Sequence, residues 1–261
     1  MTYIFGARCC DGIILVGDTK ITLEGGTKFT YGKKLFRPFN AVVMGASGLS
    51  GFYSSFQNRM AVDIANQEKL GTNLNDPSRL KMSAENVIRQ MHDVYQHDRY
   101  LLMNNLNVLM ALRVYQSGEL INYSGYGIPE PVNTVKVIGH GEPYGAMFLD
   151  KMWNKSMTME QTAKLGLFVI KLIQDTKMDS SVGYNTEFLP QVYYLPDVKF
   201  PEGFTWSNPI TKEQQAVIDD CYFRQYPIAE LPYDSVNHFL NEVGSKVSDF
   251  ENLFKQGQFK I

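Results

Sequence analysis

Residues 2–22 read TYIFGARCCDGIILVGDTKIT. The runs 3–10 and 13–16 are rich in β-formers, and Asp11-Gly12 between them is a strong short-range hairpin signal. The stretch therefore predicts two antiparallel strands. Such a hairpin returns Asp18, beyond its second arm, to a place beside Thr2 at the start of the first. A hydroxyl and a carboxylate are thereby expected at one end of a sheet.

Outward from the hairpin, Glu24-Gly25-Gly26 marks a second turn, with strands expected at 28–31 and 35–39. Residues 41–45 form a short apolar run suited to a buried strand. Gly45-Ala46-Ser47-Gly48 is a small-residue corner leading into a helix. On that helix Leu49, Phe52, Tyr53, Phe56, Met60 and Ile64 recur with a period of about 3.6 residues. A second helix is expected from about Ser83, its stripe formed by Val87, Ile88, Met91, Val94, Tyr95 and Leu102. Strands at 108–115 and 120–123 follow across a turn at 116–118, with a third candidate at 135–138. A helix near Gly145 precedes another announced by Thr158 and Gln161 at capping-box spacing. That helix runs to about Met178 and is apolar most of the way round, so it needs cover on both sides. A last strand is expected at 191–195.

Strands, two helices, strands, two helices and a strand fit an α+β fold, a four-layer αββα sandwich. Residues 1–197 are assigned to it. Beyond Pro196, the residues Pro201, Pro209, Pro227 and Pro232 punctuate two helical segments, 212–223 and 235–254. Residues 198–261 are read as a C-terminal extension wrapped on the main domain.

The bulk composition narrows the function. Of 261 residues 44% are hydrophobic and 20% charged, with a net charge of -2 and no block of like charges. That argues against disorder and leaves no footprint for nucleic acid or an anionic membrane. No apolar run approaches the length of a membrane-spanning helix. No signal-peptide pattern is present, and Cys9, Cys10 and Cys221 are an odd, sparse set, which together point to the reducing cytoplasm.

The chemistry centres on Thr2. If Met1 is removed, Thr2 carries a hydroxyl and a free α-amine, whose pKa of roughly 7.7–8 makes it a base near neutrality. A buried lysine beside it would favour the alkoxide, and an aspartate would hold that lysine charged and oriented. Lys34 lies sixteen residues after Asp18. Gly45, at a strand end, is suited to offer a backbone N–H to a substrate carbonyl. The small-residue corner lacks the Gly-Lys-Ser/Thr ending of a phosphate loop, and no G-x-S-x-G elbow occurs.

These segments resemble the proteasome β-subunit family of N-terminal nucleophile hydrolases. The likeness runs through Gly17-Asp18-Thr19-Lys20-Ile21-Thr22, Gly32-Lys33-Lys34-Leu35-Phe36 and Val42-Val43-Met44-Gly45. It continues in 139–145 (GHGEPYG), Met157-Thr158-Met159-Glu160 and Asp179-Ser180-Ser181-Val182-Gly183, covering roughly residues 2–195. The resemblance implies Thr2 as nucleophile, Asp18 and Lys34 as its tuning pair, Gly45 as oxyanion donor and Asp179 as support. It also implies that Thr22 and Gly45 pair with an extended peptide. Ile21, with Val43, would line an apolar specificity pocket. No metal or organic cofactor is implied, and the expected partners are peptide or unfolded protein and a homo- or hetero-oligomeric ring. The sequence departs from the family's pattern where His140 and Val182 replace serines and Lys20 replaces an arginine; His140 is read as a polar partner at the substrate site. Two alternatives remain open: a stand-alone amidohydrolase or transpeptidase-like ligase, and a non-catalytic structural subunit.

Overall fold

The strands β1 (Ile4–Cys9) and β2 (Gly12–Gly17) form the expected hairpin, with Ile4 opposite Gly17 and Cys9 opposite Gly12. The computed structural model describes residues 2–23, 28–74, 76–207 and 210–255. Met1, the expected turn at Glu24-Gly25-Gly26, and Pro209 lie outside them. Every residue of β2 is buried because both of its faces are covered. Ile14 and Val16 point to a helical layer, Ile13 and Leu15 to the second sheet; alternation along a strand requires this division.

A short hairpin follows, β3 (Lys20–Leu23) and β4 (Lys28–Tyr31). Then come β5 (Leu35–Phe39) and β6 (Val42–Ser47), and helices α1 (Ser50–Lys69), α2 (Pro77–Val94) and α3 (Arg99–Asn105). The chain continues through β7 (Asn107–Val114), β8 (Ser117–Ser124), β9 (Pro129–Pro131) and β10 (Val135–Ile138). Helices α4 (Glu142–Met152) and α5 (Met159–Thr176) precede β11 (Gln191–Pro196). The last elements are α6 (Lys212–Asp220), a π-helical turn at Cys221–Gln225, β12 (Ala229–Glu230) and α7 (Tyr233–Lys255).

One five-stranded sheet has the order β10-β1-β2-β11-β12 and the other β5-β6-β7-β8-β9. Ile4, Leu15, Leu35, Leu109 and Leu195 pack between them. Phe56 and Met60 of α1, with Val87 and Met91 of α2, cover the outer face of the second sheet against Met44 and Met110. Helix α5 covers the first sheet, and Gly166 permits that approach, since a Cβ there would meet the Phe5 ring at 2.0 Å. The apolar girdle of α5 is explained by α7, whose Val236, Leu240 and Val243 join the same core. This is the expected αββα sandwich.

The differences are local. Helix α2 begins at Pro77 and not near Ser83, because the Asp76 carboxylate caps Ser78 N–H at 2.9 Å and proline occupies the first helical position. It ends at Val94, which is exposed, so Leu102 belongs to α3. The two-residue β12 is too short to show any periodicity. It pairs Glu230 with Tyr193 and Ala229 with Tyr194, so the segment after residue 197 supplies an edge strand as well as α7.

Among the described residues the outer edge of β5 has no neighbouring strand in its sheet, and the Gln191 amide stands in for one. Its oxygen accepts the N–H of Lys34 at 2.7 Å and of Leu35 at 2.8 Å, and its nitrogen donates to Leu35 O at 3.1 Å. Gln191→Leu leaves these buried backbone groups unpaired. It should lower unfolding free energy by about 2–4 kcal/mol in urea titration, with an unchanged denaturant slope.

Candidate active site

Asp18 follows β2, and its backbone N–H donates to Tyr3 O at 3.0 Å. Its carboxylate then reaches back to the same residue. Oδ1 accepts Tyr3 N–H at 2.7 Å and Lys34 Nζ at 2.6 Å, while Oδ2 accepts Gly183 N–H at 3.1 Å. Both side chains of the ion pair are buried. Burial pushes the Asp18 carboxyl up and the Lys34 ammonium down, and their mutual contact opposes both effects. With every donor aimed at Asp18 an N–H, the carboxylate form is the one that fits.

Thr2 precedes the first strand and is itself buried, with its carbonyl under the loop that follows β10. Gly141 N–H donates to Thr2 O at 3.3 Å. Gly139 has φ +100°, and a Cβ there would lie 2.2 Å from Thr2 O. Only glycine meets both the left-handed backbone and the close approach.

Thr2, Lys34 and His140 border one cleft of about 780 Å³. Ile21 and Thr22 of β3 form one wall, and Ser47, Gly48 and Tyr53 another. The Tyr53 hydroxyl donates to Lys33 O, which ties α1 to the loop carrying Lys34. Behind His140 lies buried Asp179, whose Oδ2 meets His140 Nδ1 at 2.9 Å. Its Oδ1 takes the Ser181 N–H at 2.8 Å and hydroxyl at 2.5 Å. Burial raises the Asp179 carboxyl, but the hydrogen bonds from Ser181 and His140 prevail and hold it below the ordinary 3.8.

Two expected residues are not brought to the cleft. Val43 lies wholly buried between the sheets with Ile4 and Leu109, because β6 is covered on both faces. Gly45 lies within β6, opposite Leu35 on one side and Leu109 on the other. Leu35 turns its N–H and C=O outward to Gln191, so antiparallel alternation directs those of Gly45 to Leu109. Its N–H is engaged in the sheet. Gly48, at the end of the same strand, lines the cleft instead. Its φ is +140° and a Cβ would meet Asn105 O at 1.9 Å. The signal for it was the Gly45-Ala46-Ser47-Gly48 corner, where the sequence alone does not tell which glycine clears the sheet. Ser47, Tyr53 and Asn105 carried no signal beyond helix and strand patterning.

A four-layer αββα sandwich whose cleft borders Thr2 defines the class, and the chain belongs to the proteasome subunit family, whose model matches residues 2–188. Among solved structures it is similar to Anbu (ancestral beta-subunit) from Yersinia bercovieri, at 13% identity and a TM-score of 0.67, covering 96% of each chain. It is also similar to an Anbu Gly-1 mutant from Hyphomicrobium sp. strain MC1, at 14% identity and TM-score 0.67, covering 98% of this chain and 100% of that one. Anbu from the same strain gives 15% identity and TM-score 0.64, with 99% and 97% covered. Such coverage extends into the residues after 197. No curated protein matches the chain. Among the described residues, no helix is long and apolar enough to cross a membrane.

The lowered Asp179 pKa sets a pH dependence. The folded state favours its carboxylate, so that contribution is complete above the ordinary 3.8 and is lost as pH falls below it. In thermal melts from about pH 6 down to about pH 3, the melting gap between wild type and Asp179→Asn should narrow at the acid end.

Proposed function

We propose that this chain is a threonine-type peptidase that cleaves peptide bonds through an ester on Thr2. The observation that carries the reading is the buried Lys34–Asp18 pair at 2.6 Å, with Lys34 lining the same cleft as Thr2. A fixed positive charge there lowers the cost of the Thr2 alkoxide and of the protonated α-amine's release of its proton. After loss of Met1, the Thr2 amine, through water, takes the hydroxyl proton, and Oγ attacks the substrate carbonyl. The N–H of Gly48 is the donor for the developing oxyanion in this scheme, since Gly45 is committed to β7. The amine product departs and water releases the acyl group.

The substrate is an extended peptide laid along the β3 wall in strand-addition mode. Thr22 Oγ1 is buried at that wall without a partner among the described residues, which suits a group that a bound chain would satisfy. Ile21 supplies the apolar contact for the side chain entering the cleft. Asp179 and His140 support the Thr2 end. The chain acts within a ring of like or related subunits, in keeping with its family, and needs no metal or organic cofactor for this chemistry.

Intact mass before and after incubation with a β-lactone checks the reading. The expected product has lost Met1 and carries one adduct on Thr2, and Thr2→Ala carries none. Retained Met1 with no adduct would leave a structural subunit as the better account.

A further inference from the structure

Asp179 offers its carboxylate in a way an ordinary surface pair does not. It is buried, and its oxygens are divided between Ser181, which gives Oδ1 an N–H and a hydroxyl, and His140, which meets Oδ2. An exposed ion pair has neither the burial nor the extra donors. An ionised carboxylate has only lone pairs to present, so His140 Nδ1 is the nitrogen that carries the proton. Nε2 then keeps the ring's lone pair. The His140 side chain is 59% exposed and lines the cleft it shares with Thr2. The backbone of both its chain neighbours lies against Thr2. A Cβ on Gly139 would lie 3.3 Å from Thr2 Cβ, and Gly141 N–H holds Thr2 O at 3.3 Å.

We propose that Thr2, His140 and Asp179 form a catalytic triad, with His140 Nε2 a second general base for the Thr2 hydroxyl. This rests on the reading of Thr2 as nucleophile. His140 accepts the Oγ proton as Oγ bonds to the carbonyl carbon and the C=O electron pair moves onto oxygen. When the C–N bond breaks, the proton passes from Nε2 to the departing nitrogen. Water then attacks the ester and gives a proton to Nε2, which returns it to Thr2 Oγ as the acid leaves. Water is the only co-reactant. Unlike the α-amine, this base does not depend on the loss of Met1.

Charged groups around the site are Asp179 behind the ring, Glu142 and Lys34 lining the cleft, Asp18 paired with Lys34, and Lys136, which pairs with Glu142 at 3.3 Å. A pH profile compared between wild type and the His140 and Asp179 variants separates the part played by the imidazole from that of the Thr2 amine. The experiment is the rate of Thr2 acylation by a β-lactone, followed by intact mass between about pH 5 and about pH 9. Wild type should show the rate rising with pH in two steps, one for each base. His140→Gln should lose one of the two rises, slowing acylation about tenfold or more over that part of the range while keeping the other. Asp179→Asn should lose the same rise, because the ring tautomer is no longer fixed. A His140→Gln rate within about twofold of wild type at every pH, with the adduct still on Thr2, would overturn the triad and leave the peptidase reading standing. A folded wild type that forms no Thr2 adduct would overturn both.

Discussion

The ion pair between Asp18 and Lys34 is the constraint around which the cleft is built. Taking two charges out of water costs several kcal/mol per ion, on the order of what their attraction returns, so such a pair adds little net stability. Losing one partner costs about 3–5 kcal/mol, because the other is left buried and uncompensated. The protein meets this by giving Asp18 donors from three separate segments: Tyr3 beside Thr2, Lys34 before β5, and Gly183 in the loop before β11. The loop is bound in turn, since Gly183 O accepts Thr19 N–H at 3.1 Å and Lys20 N–H at 2.9 Å. Satisfying one buried carboxylate thus fixes where Thr2 begins, where β3 leaves and where Lys34 points.

The same requirement reaches the C-terminal segment. Lys34 is buried just before the edge strand β5, and its backbone is held by Gln191. Gln191 also donates to Glu230 Oε1 at 3.3 Å, and Glu230 accepts the Tyr193 hydroxyl at 2.8 Å and Lys33 Nζ at 3.0 Å. Glu230 belongs to β12. A segment that looks dispensable in the sequence therefore closes the network behind Lys34, while its helix α7 buries the outer face of α5. Stability and site geometry are coupled here through one amide and one carboxylate.

What could be read from the sequence follows the range of the interactions. Asp11-Gly12 announces its hairpin locally, and the hairpin alone returns Asp18 to Thr2. The girdle of α5 and its capping box are equally local and place that helix correctly. Val43 and Gly45 were harder because β6 is apolar on both faces, so alternation does not say which face meets substrate. The choice between Gly45 and Gly48 turns on which residue has its N–H free of the sheet, a matter of register with β5 and β7. Gln191 is harder still: it serves Leu35 from 156 residues away, with no pattern around it to show that an amide will replace a strand. The start of α2 at Asp76-Pro77 was missed because the apolar stripe from Val87 onward set the expected start near Ser83.

The cleft combines rigid and adjustable walls. Thr2 is fixed through its neighbour Tyr3, bonded to Asp18, and through its own carbonyl, whose close approach only a glycine at 139 permits. Gly48 is fixed by close approach to Asn105 O, and Lys34 by Asp18 and Gln191. Groups so held need little reorganisation as charge develops on a substrate, which is where preorganised electrostatics contributes most. His140 differs, because its ring is anchored at one nitrogen and otherwise exposed. On the proposed reading it carries a proton, and that freedom lets it meet a hydroxyl, then a leaving nitrogen, then a water, at positions that do not coincide. Rigid contacts around Thr2 and one anchored, half-exposed imidazole are therefore complementary parts of the same arrangement.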